Sequence, residues 1–256
     1  MKNILSQAHR EVLEQFSWSN VLLAFDYDGT LAPIVDDPKR AFMRQTTRNL
    51  LEAVVKLYPT IVISGRARDD ARRLLHGVRV NEVIGNHGLE PWHTTDELTE
   101  QVQRWASLLQ RQLASFRGLQ LEDKTFSLAV HYRQSREKKK ARGAILRAVT
   151  LLGDVRVVGG KQVVNLLPVG APHKGIALER ERERLECDTA IYVGDDETDE
   201  DVFVLDQPGR LLSIRVGTRV ASAATYCIPR QASIDDLLKA LIQLRRKVEP
   251  RRQAAQ

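Results

Sequence analysis

Apolar residues fall in two kinds of run along the chain. Short continuous stretches at 21–26, 60–63, 80–84, 190–193 and 211–216 end in small or polar residues. Each reads as a buried strand. Between them the apolar spacing turns helical. Leu50, Leu51, Val54 and Leu57 share one face of a helix over 46–57 that Pro59 stops. Further helices are expected over 67–75, 175–186 and 200–204, with a leading helix inside 1–18 that carries Leu5, Val12, Leu13 and Phe16. A Ser/Asp cap opens a terminal helix over 233–244. The stretches 211–216 and 226–228 read as edge strands, with 207–210 and 217–225 as loops. Strand alternating with helix predicts a Rossmann-like α/β core around a parallel sheet.

The middle of the chain breaks this rhythm. Val102, Trp105, Leu108, Leu109 and Leu113 mark a helix over 98–116. Two strand candidates at 119–123 and 126–132 form a hairpin, a helix covers 137–152, and two more strands at 155–158 and 162–167 meet at Gly159-Gly160. Helix, two strands, helix, two strands is a self-contained α+β unit inside an α/β chain. The expected organisation is a core in two parts, 1–92 and 172–247, an inserted α+β cap at 93–171, and a disordered tail at 248–256. An inserted unit of this kind closes over the strand ends, where α/β proteins bind ligands.

Composition narrows the function classes. No run of eighteen apolar residues occurs, and no segment behind Met1 resembles a signal peptide. Two cysteines, Cys187 and Cys227, lack metal-ligand spacing and a disulfide framework. A cytoplasmic protein without a membrane partner is expected. The net charge of +6 suits attraction of an anionic small molecule. Its excess concentrates at 136–142 and in the last residues from Arg245, where solvated helix faces and a frayed end account for it. No nucleic-acid partner is expected, because an acidic set facing a phosphate backbone repels it.

That acidic set is the candidate chemistry. The first strand ends in Asp26-Tyr27-Asp28-Gly29-Thr30, and the strand at 190–193 ends in Gly194-Asp195-Asp196-Glu197-Thr198-Asp199. Brought together, Asp26, Asp28, Asp195 and Asp199 would repel one another unless a hard cation such as Mg²⁺ lay between them. Ser64 and Gly65, after the second strand, offer a hydroxyl and backbone N–H groups to a phosphate. Lys174, where the linker Pro168–Pro172 passes into a helix, supplies a cation. The Gly85-Asn86-His87-Gly88 loop aims polar groups outward, and Glu122, Lys124, Arg133 and Lys161 sit where the inserted unit turns. No P-loop, no dinucleotide-binding glycine pattern, no zinc cluster and no G-x-S-x-G elbow occurs. An aspartate nucleophile that forms an acyl phosphate fits this inventory.

Asp26-Tyr27-Asp28-Gly29-Thr30-Leu31, Ser64-Gly65-Arg66, Gly85-Asn86-His87-Gly88, His131-Tyr132-Arg133, Lys174-Gly175 and Gly194-Asp195-Asp196-Glu197-Thr198-Asp199 together resemble the haloacid dehalogenase superfamily, and within it the trehalose-6-phosphate phosphatases. The resemblance implies Mg²⁺-dependent hydrolysis of a small-molecule sugar phosphate. Asp26 would be nucleophile and metal ligand, and Asp28 proton donor, then base, with its carbonyl on the metal. Thr30, Ser64 and Gly65 would hold the phosphoryl group and Lys174 its charge. Asp195 would ligate the metal, with Asp199 as ligand or support. Arg66, Asn86, His87, Glu122, Arg133, Lys161 and Asn165 would meet the sugar. Asn165, in V-V-N-L-L-P, departs from the family's V-x-E-x-x-P. A different glycosyl phosphate, such as that of glucosylglycerol or glucosylglycerate, is the alternative substrate. A phosphomutase or a non-catalytic binding protein are the remaining readings.

Overall fold

The computed structural model describes residues 1–205, 207–218 and 221–253, with side chains as far as Lys247. In chain order the elements are β1 (Lys2–Asn3), α1 (Arg10–Trp18), β2 (Val21–Phe25), α2 (Gln45–Val54), β3 (Thr60–Ile63), α3 (Arg68–Leu74) and β4 (Glu82–Ile84). The inserted segment follows as α4 (Asp96–Gln112), β5 (Gln120–Asp123), β6 (Leu128–His131), α5 (Lys138–Val149), β7 (Val155–Gly160) and β8 (Val163–Pro168). The chain then returns through α6 (Lys174–Arg184), β9 (Thr189–Gly194), α7 (Glu200–Phe203), β10 (Leu211–Val216), β11 (Tyr226–Ile228) and α8 (Ile234–Gln253).

The main sheet has seven parallel strands in the order β1-β11-β10-β9-β2-β3-β4. Every side chain of β2 is buried. Val21, Leu23 and Phe25 enter one core with Leu51, Val54 and Leu241, while Leu22 and Ala24 enter a second with Leu178, Val202 and Phe203. Helices cover both faces of the sheet, which is why the strands read as unbroken apolar runs rather than alternating ones.

The inserted segment folds as a four-stranded antiparallel sheet, β5-β6-β8-β7. Its alternation is amphipathic. Val130, Val164, Leu128 and Leu166 pack against Val102, Trp105, Leu109 and Ile145 of α4 and α5. The opposite face carries Glu122, Ala129 and Asn165 in one cross-strand row and Gln120, His131 and Val163 in the next. That face looks toward the carboxyl ends of the main sheet.

The order of elements matches the pattern, and four details differ. β10 and β11 are not edge strands, because β9 and β1 flank the pair. The outer edge is β1, two residues whose side chains are both exposed and carry no hydrophobic signal. The leading helix begins only at Arg10. The terminal helix continues to Gln253, through 248–253 of the expected tail, and 254–256 lie outside the described residues.

Candidate active site

β2 and β9 are neighbours, so their ends deliver Asp26 and Asp195 side by side, and the Asp26 amide donates to Val193 O at 2.8 Å. Lys174, the first residue of α6, is 1% exposed and reaches both strand ends. Its Nζ lies 2.7 Å from Asp26 Oδ1 and 2.7 Å from Asp199 Oδ1. Asp199 is held by more than the lysine. Tyr192 donates its hydroxyl to Oδ1 at 2.6 Å, and the amides of Asp195 and Asp196 donate to Oδ2 at 2.7 and 2.8 Å. Two glycines make room for this packing. A Cβ on Gly29, whose φ is +84°, would run into the Asp195 carboxylate, and one on Gly194 into that of Asp199.

The electrostatics follow from burial. Loss of water raises the Asp26 carboxyl well above the usual range; Lys174 opposes this, and Asp199 and Asp195 add to it. Burial works against the charge on Lys174, but Asp199 and Asp26 outweigh it and hold the ammonium protonated. Burial also raises Asp199, yet Lys174 and the donors around it bring that carboxyl below its ordinary value. Asp195 is pushed up to about 6 by burial, with the Asp199 charge adding and Lys161 subtracting.

These residues fit a hard divalent cation. One carboxylate oxygen from each of Asp26, Asp195 and Asp199 lies within 4.8 Å of the others. Asp195 Oδ1 is buried with no hydrogen-bond partner, although nearly every buried polar atom finds one. Oxygen-only donors of this kind suit Mg²⁺. Asp26 and Asp195 have oxygen capacity to spare. Asp199 already accepts four hydrogen bonds, so it fixes Lys174 and the loop from Asp195 more than it offers a free ligand atom.

Above this floor the cap closes a cavity of about 600 Å³, inside the range of roughly 300–1,000 Å³ usual for small-molecule sites. Asp26, Lys174, Asp195 and His87 line its floor, and Glu122, His131, Arg133, Lys161 and Asn165 its roof. His131 Nε2 and Glu122 Oε2 are 2.7 Å apart. Asn165 is a buried part of that roof, and no hydrogen bond of its side chain occurs among the described residues. His87 is buried with both ring nitrogens unpartnered. Burial, then the charges of Lys124 and Lys174, hold it well below the ordinary histidine value, so the ring is neutral.

The cap docks on the core at both ends of its sheet. At the β5–β6 turn, Lys124 Nζ donates to Gly65 O at 2.8 Å, and Ser127 Oγ donates to Asn86 Oδ1 at 2.5 Å. Asn86 Nδ2 in turn donates to Lys124 O at 3.1 Å and to Glu90 Oε2 at 2.7 Å. On the β7 side, Arg156 Nη2 meets both oxygens of Asp201 at 2.7 Å, and Lys161 Nζ sits 2.5 Å from Asp195 Oδ2.

Not every residue expected at the site faces the cavity. Asn86 does not line it; its side-chain amide bonds Lys124 O and Ser127 Oγ of the cap and Glu90 of the core. Arg66 lines the wall, but all three of its guanidinium nitrogens are bound to Asp28 and Asp70 rather than aimed at a ligand. Thr30 and Ser64 lie under the floor. Thr30 Oγ1 has no partner, and Ser64 Oγ accepts from the Arg66 amide at 3.2 Å. Arg133 donates to Val35 O at 2.7 Å while lining the roof, so it also ties the cap to the loop after β2. Sequence reasoning missed Tyr192, which reads as one more apolar strand residue, and Asp70, a first-turn helix acid. It also missed His131 and Gln120 as roof residues. Their signal was the period-2 alternation that puts them on the same face as Glu122.

A parallel sheet with acids and a lysine at its carboxyl ends, beneath an inserted sheet, is the plan of the haloacid dehalogenase-type phosphatases. The comparisons agree. A family model described as trehalose-phosphatase matches residues 24–226. The chain belongs to that family. It is 31% identical to probable trehalose-phosphate phosphatase 3 of Oryza sativa subsp. japonica, over 88% of this chain and 70% of that protein. It is 28% identical to probable trehalose-phosphate phosphatase D of Arabidopsis thaliana, over 91% of this chain and 70% of that protein. In fold it is similar to the C-terminal domain of C. albicans trehalose-6-phosphate phosphatase, with a TM-score of 0.77 at 21% identity, covering 92% of this chain and 97% of that one.

Proposed function

We propose that this protein hydrolyses trehalose 6-phosphate to trehalose and phosphate, with Mg²⁺ as cofactor and a phosphoryl-Asp26 intermediate. The observation that carries the reading is Lys174, wholly buried and shared between Asp26 and Asp199, beside an Asp195 oxygen left without a partner. A lysine so placed holds Asp26 in one orientation and balances phosphoryl charge in a water-poor site. Asp26, Asp195 and the Asp28 carbonyl, supported by Asp199, would hold the metal, which supplies charge neutralisation between carboxylate and phosphate when bound.

The chain's own residues then divide the work. An Asp26 oxygen attacks phosphorus as the bond from phosphorus to the sugar oxygen breaks, and the Asp28 carboxyl gives its proton to that oxygen. Water next attacks phosphorus, losing a proton to Asp28, and the electron pair of the acyl-phosphate bond returns to Asp26 as inorganic phosphate leaves. The neutral ring of His87, on the cavity floor, is a donor for the phosphoryl oxygens or the nearest sugar, while the unpartnered Thr30 hydroxyl lies beneath that floor. Glu122, His131, Arg133, Lys161 and Asn165 meet the distal sugar hydroxyls with a mixture of donors and acceptors.

Asn165 favours a second reading. Where the family pattern has a carboxylate, this roof has an amide that donates as well as accepts, which suits another glycosyl phosphate carrying a carboxylate or a glycerol unit. A phosphate-release assay across trehalose 6-phosphate, glucosylglycerol phosphate, glucosylglycerate phosphate and glucose 6-phosphate, with and without EDTA, separates the two. Fastest turnover of trehalose 6-phosphate, lost in EDTA and restored by Mg²⁺, is the expected result. A faster second glycosyl phosphate would replace the substrate assignment, and no release from any would refute the phosphatase reading.

A further inference from the structure

Arg66 is committed to carboxylates in a way that recognition of a ligand does not require. Its Nε and Nη2 grip the two oxygens of Asp28 at 2.6 and 2.7 Å, and Nη1 reaches Asp70 Oδ2 at 2.7 Å. Asp70 is itself anchored, taking Arg73 Nη2 on its other oxygen at 2.5 Å. The Arg66 backbone is held as well: its amide donates to Ser64 Oγ at 3.2 Å, and its carbonyl accepts from the Asn86 amide at 2.7 Å. The arginine side chain is 11% exposed, whereas the Asp28 side chain is 37% exposed. Among the described residues no other side chain bonds the Asp28 carboxylate, so Arg66 alone sets its orientation.

We propose that Arg66, braced by Asp70, is the positioning residue for Asp28: a fixed two-pronged fork that holds the proton-transferring carboxylate facing the reacting phosphorus. This rests on the phosphatase reading and on Asp28 as its proton-transfer group. A bidentate guanidinium fixes the plane of a carboxylate as a single ammonium cannot. It occupies one acceptor direction on each Asp28 oxygen and leaves another on each for the proton. Without the fork, an exposed aspartate turns among its rotamers, and misplacement by about an ångström costs on the order of a hundredfold in rate. The chain thereby holds the substrate-facing carboxylate with a residue whose three guanidinium nitrogens are all spent on carboxylates. The same Arg66 peptide unit, through the Asn86 amide, joins this brace to the loop on which the cap docks.

The test uses p-nitrophenyl phosphate as well as trehalose 6-phosphate, with native protein, Asp28→Asn, Arg66→Gln, Arg66→Lys and Asp70→Asn, in stopped flow with Mg²⁺ present. p-Nitrophenolate leaves without being protonated, so loss of Asp28 positioning spares formation of phosphoryl-Asp26 and slows only the attack of water. Arg66→Gln should therefore keep a fast first release of nitrophenolate and lose roughly 10²-fold in steady-state turnover, the low end of what positioned acid–base groups contribute. On the sugar phosphate both steps slow. Arg66→Lys, which cannot fork, should share the signature, and Asp70→Asn should show it more weakly. Thermal melting checks that each variant is folded. If Arg66→Gln does not fold, Arg66→Lys carries the test.

An equal fall of burst and steady state in the Arg66 variants, with Asp28→Asn still showing the split, would overturn the positioning role and leave the phosphatase reading standing. A raised KM with an unchanged ratio of burst to steady state would make Arg66 a substrate contact and overturn it likewise. Absence of the split in Asp28→Asn itself would overturn both this inference and the role given to Asp28.

Discussion

Lys174 is the residue on which the site's charge balance turns. Removing it leaves Asp26 and Asp199 buried and facing each other without a cation. Lys174→Ala should lower unfolding free energy by about 3–5 kcal/mol, the cost of breaking a buried pair. Urea denaturation of the variant measures this, and adding Asp26→Asn to it should recover part of the loss, since one of the stranded charges is gone. Asp26→Asn alone should fold, because burial already disfavours the Asp26 charge. Its turnover should fall by at least about 10³-fold, as when a nucleophile is removed. Glu122 gives a pH signature. Burial raises its carboxyl, but the His131 hydrogen bond and the Lys124 and Arg66 charges override that and bring it from 4.5 to about 2. A carboxyl depressed by folding contributes stability above its unfolded value and loses it as pH falls through the folded one. Melting temperature should therefore drop between pH 4.5 and about 2, and Glu122→Gln should flatten that limb.

Among elements, the cap hairpins matter most. The β5–β6 turn is fastened by Lys124, Ser127 and Asn86, and the β7 side by Arg156 and Lys161. Asn86→Ala strands the buried Ser127 hydroxyl, an unsatisfied group costing roughly 1–3 kcal/mol, and removes one of the two bonds on the Lys124 carbonyl, which keeps the Phe126 amide. The expected outcome is faster proteolysis within the cap and a raised KM for the sugar phosphate, with the burst on p-nitrophenyl phosphate kept. Limited proteolysis with steady-state kinetics checks it, and unchanged cap proteolysis would mean that Asn86 is not the fastening. This role was invisible in the sequence. Asn86 and Ser127 lie forty-one positions apart, and nothing local marks them as partners. Strand ends behave differently. Asp26 and Asp195 each close an apolar run, and parallel pairing brings such ends together, so that half of the site was legible. The edge assignment of β10 and β11 failed because a two-residue exposed strand, Lys2–Asn3, leaves no periodicity to read.

At the scale of the molecule, the doubly covered sheet and the inserted antiparallel sheet were both readable, the first as continuous apolar runs and the second as a switch to alternation. Which roof residues face the cavity was legible only in part. Register decides it, and register came with the fold. The seven-stranded core supplies a fixed floor, the cap supplies the roof, and no helix among the described residues is long and apolar enough to cross a membrane. A cation held between Asp26 and Asp195 would tie stability to the site. Mg²⁺ should raise the melting temperature of EDTA-treated protein with a stabilisation that grows by mass action, about 2.7 kcal/mol at a hundredfold excess over its dissociation constant. Asp195→Asn should abolish that gain in a differential scanning measurement.

The central claim is that phosphorus passes through Asp26. Native protein mixed with trehalose 6-phosphate and Mg²⁺, quenched in acid within milliseconds and digested, should yield one phosphorylated peptide, with the phosphoryl group on Asp26 and none in Asp26→Asn. Rapid turnover with no phosphoryl-aspartate at any quench time, or a phosphoryl group on another residue, would contradict it.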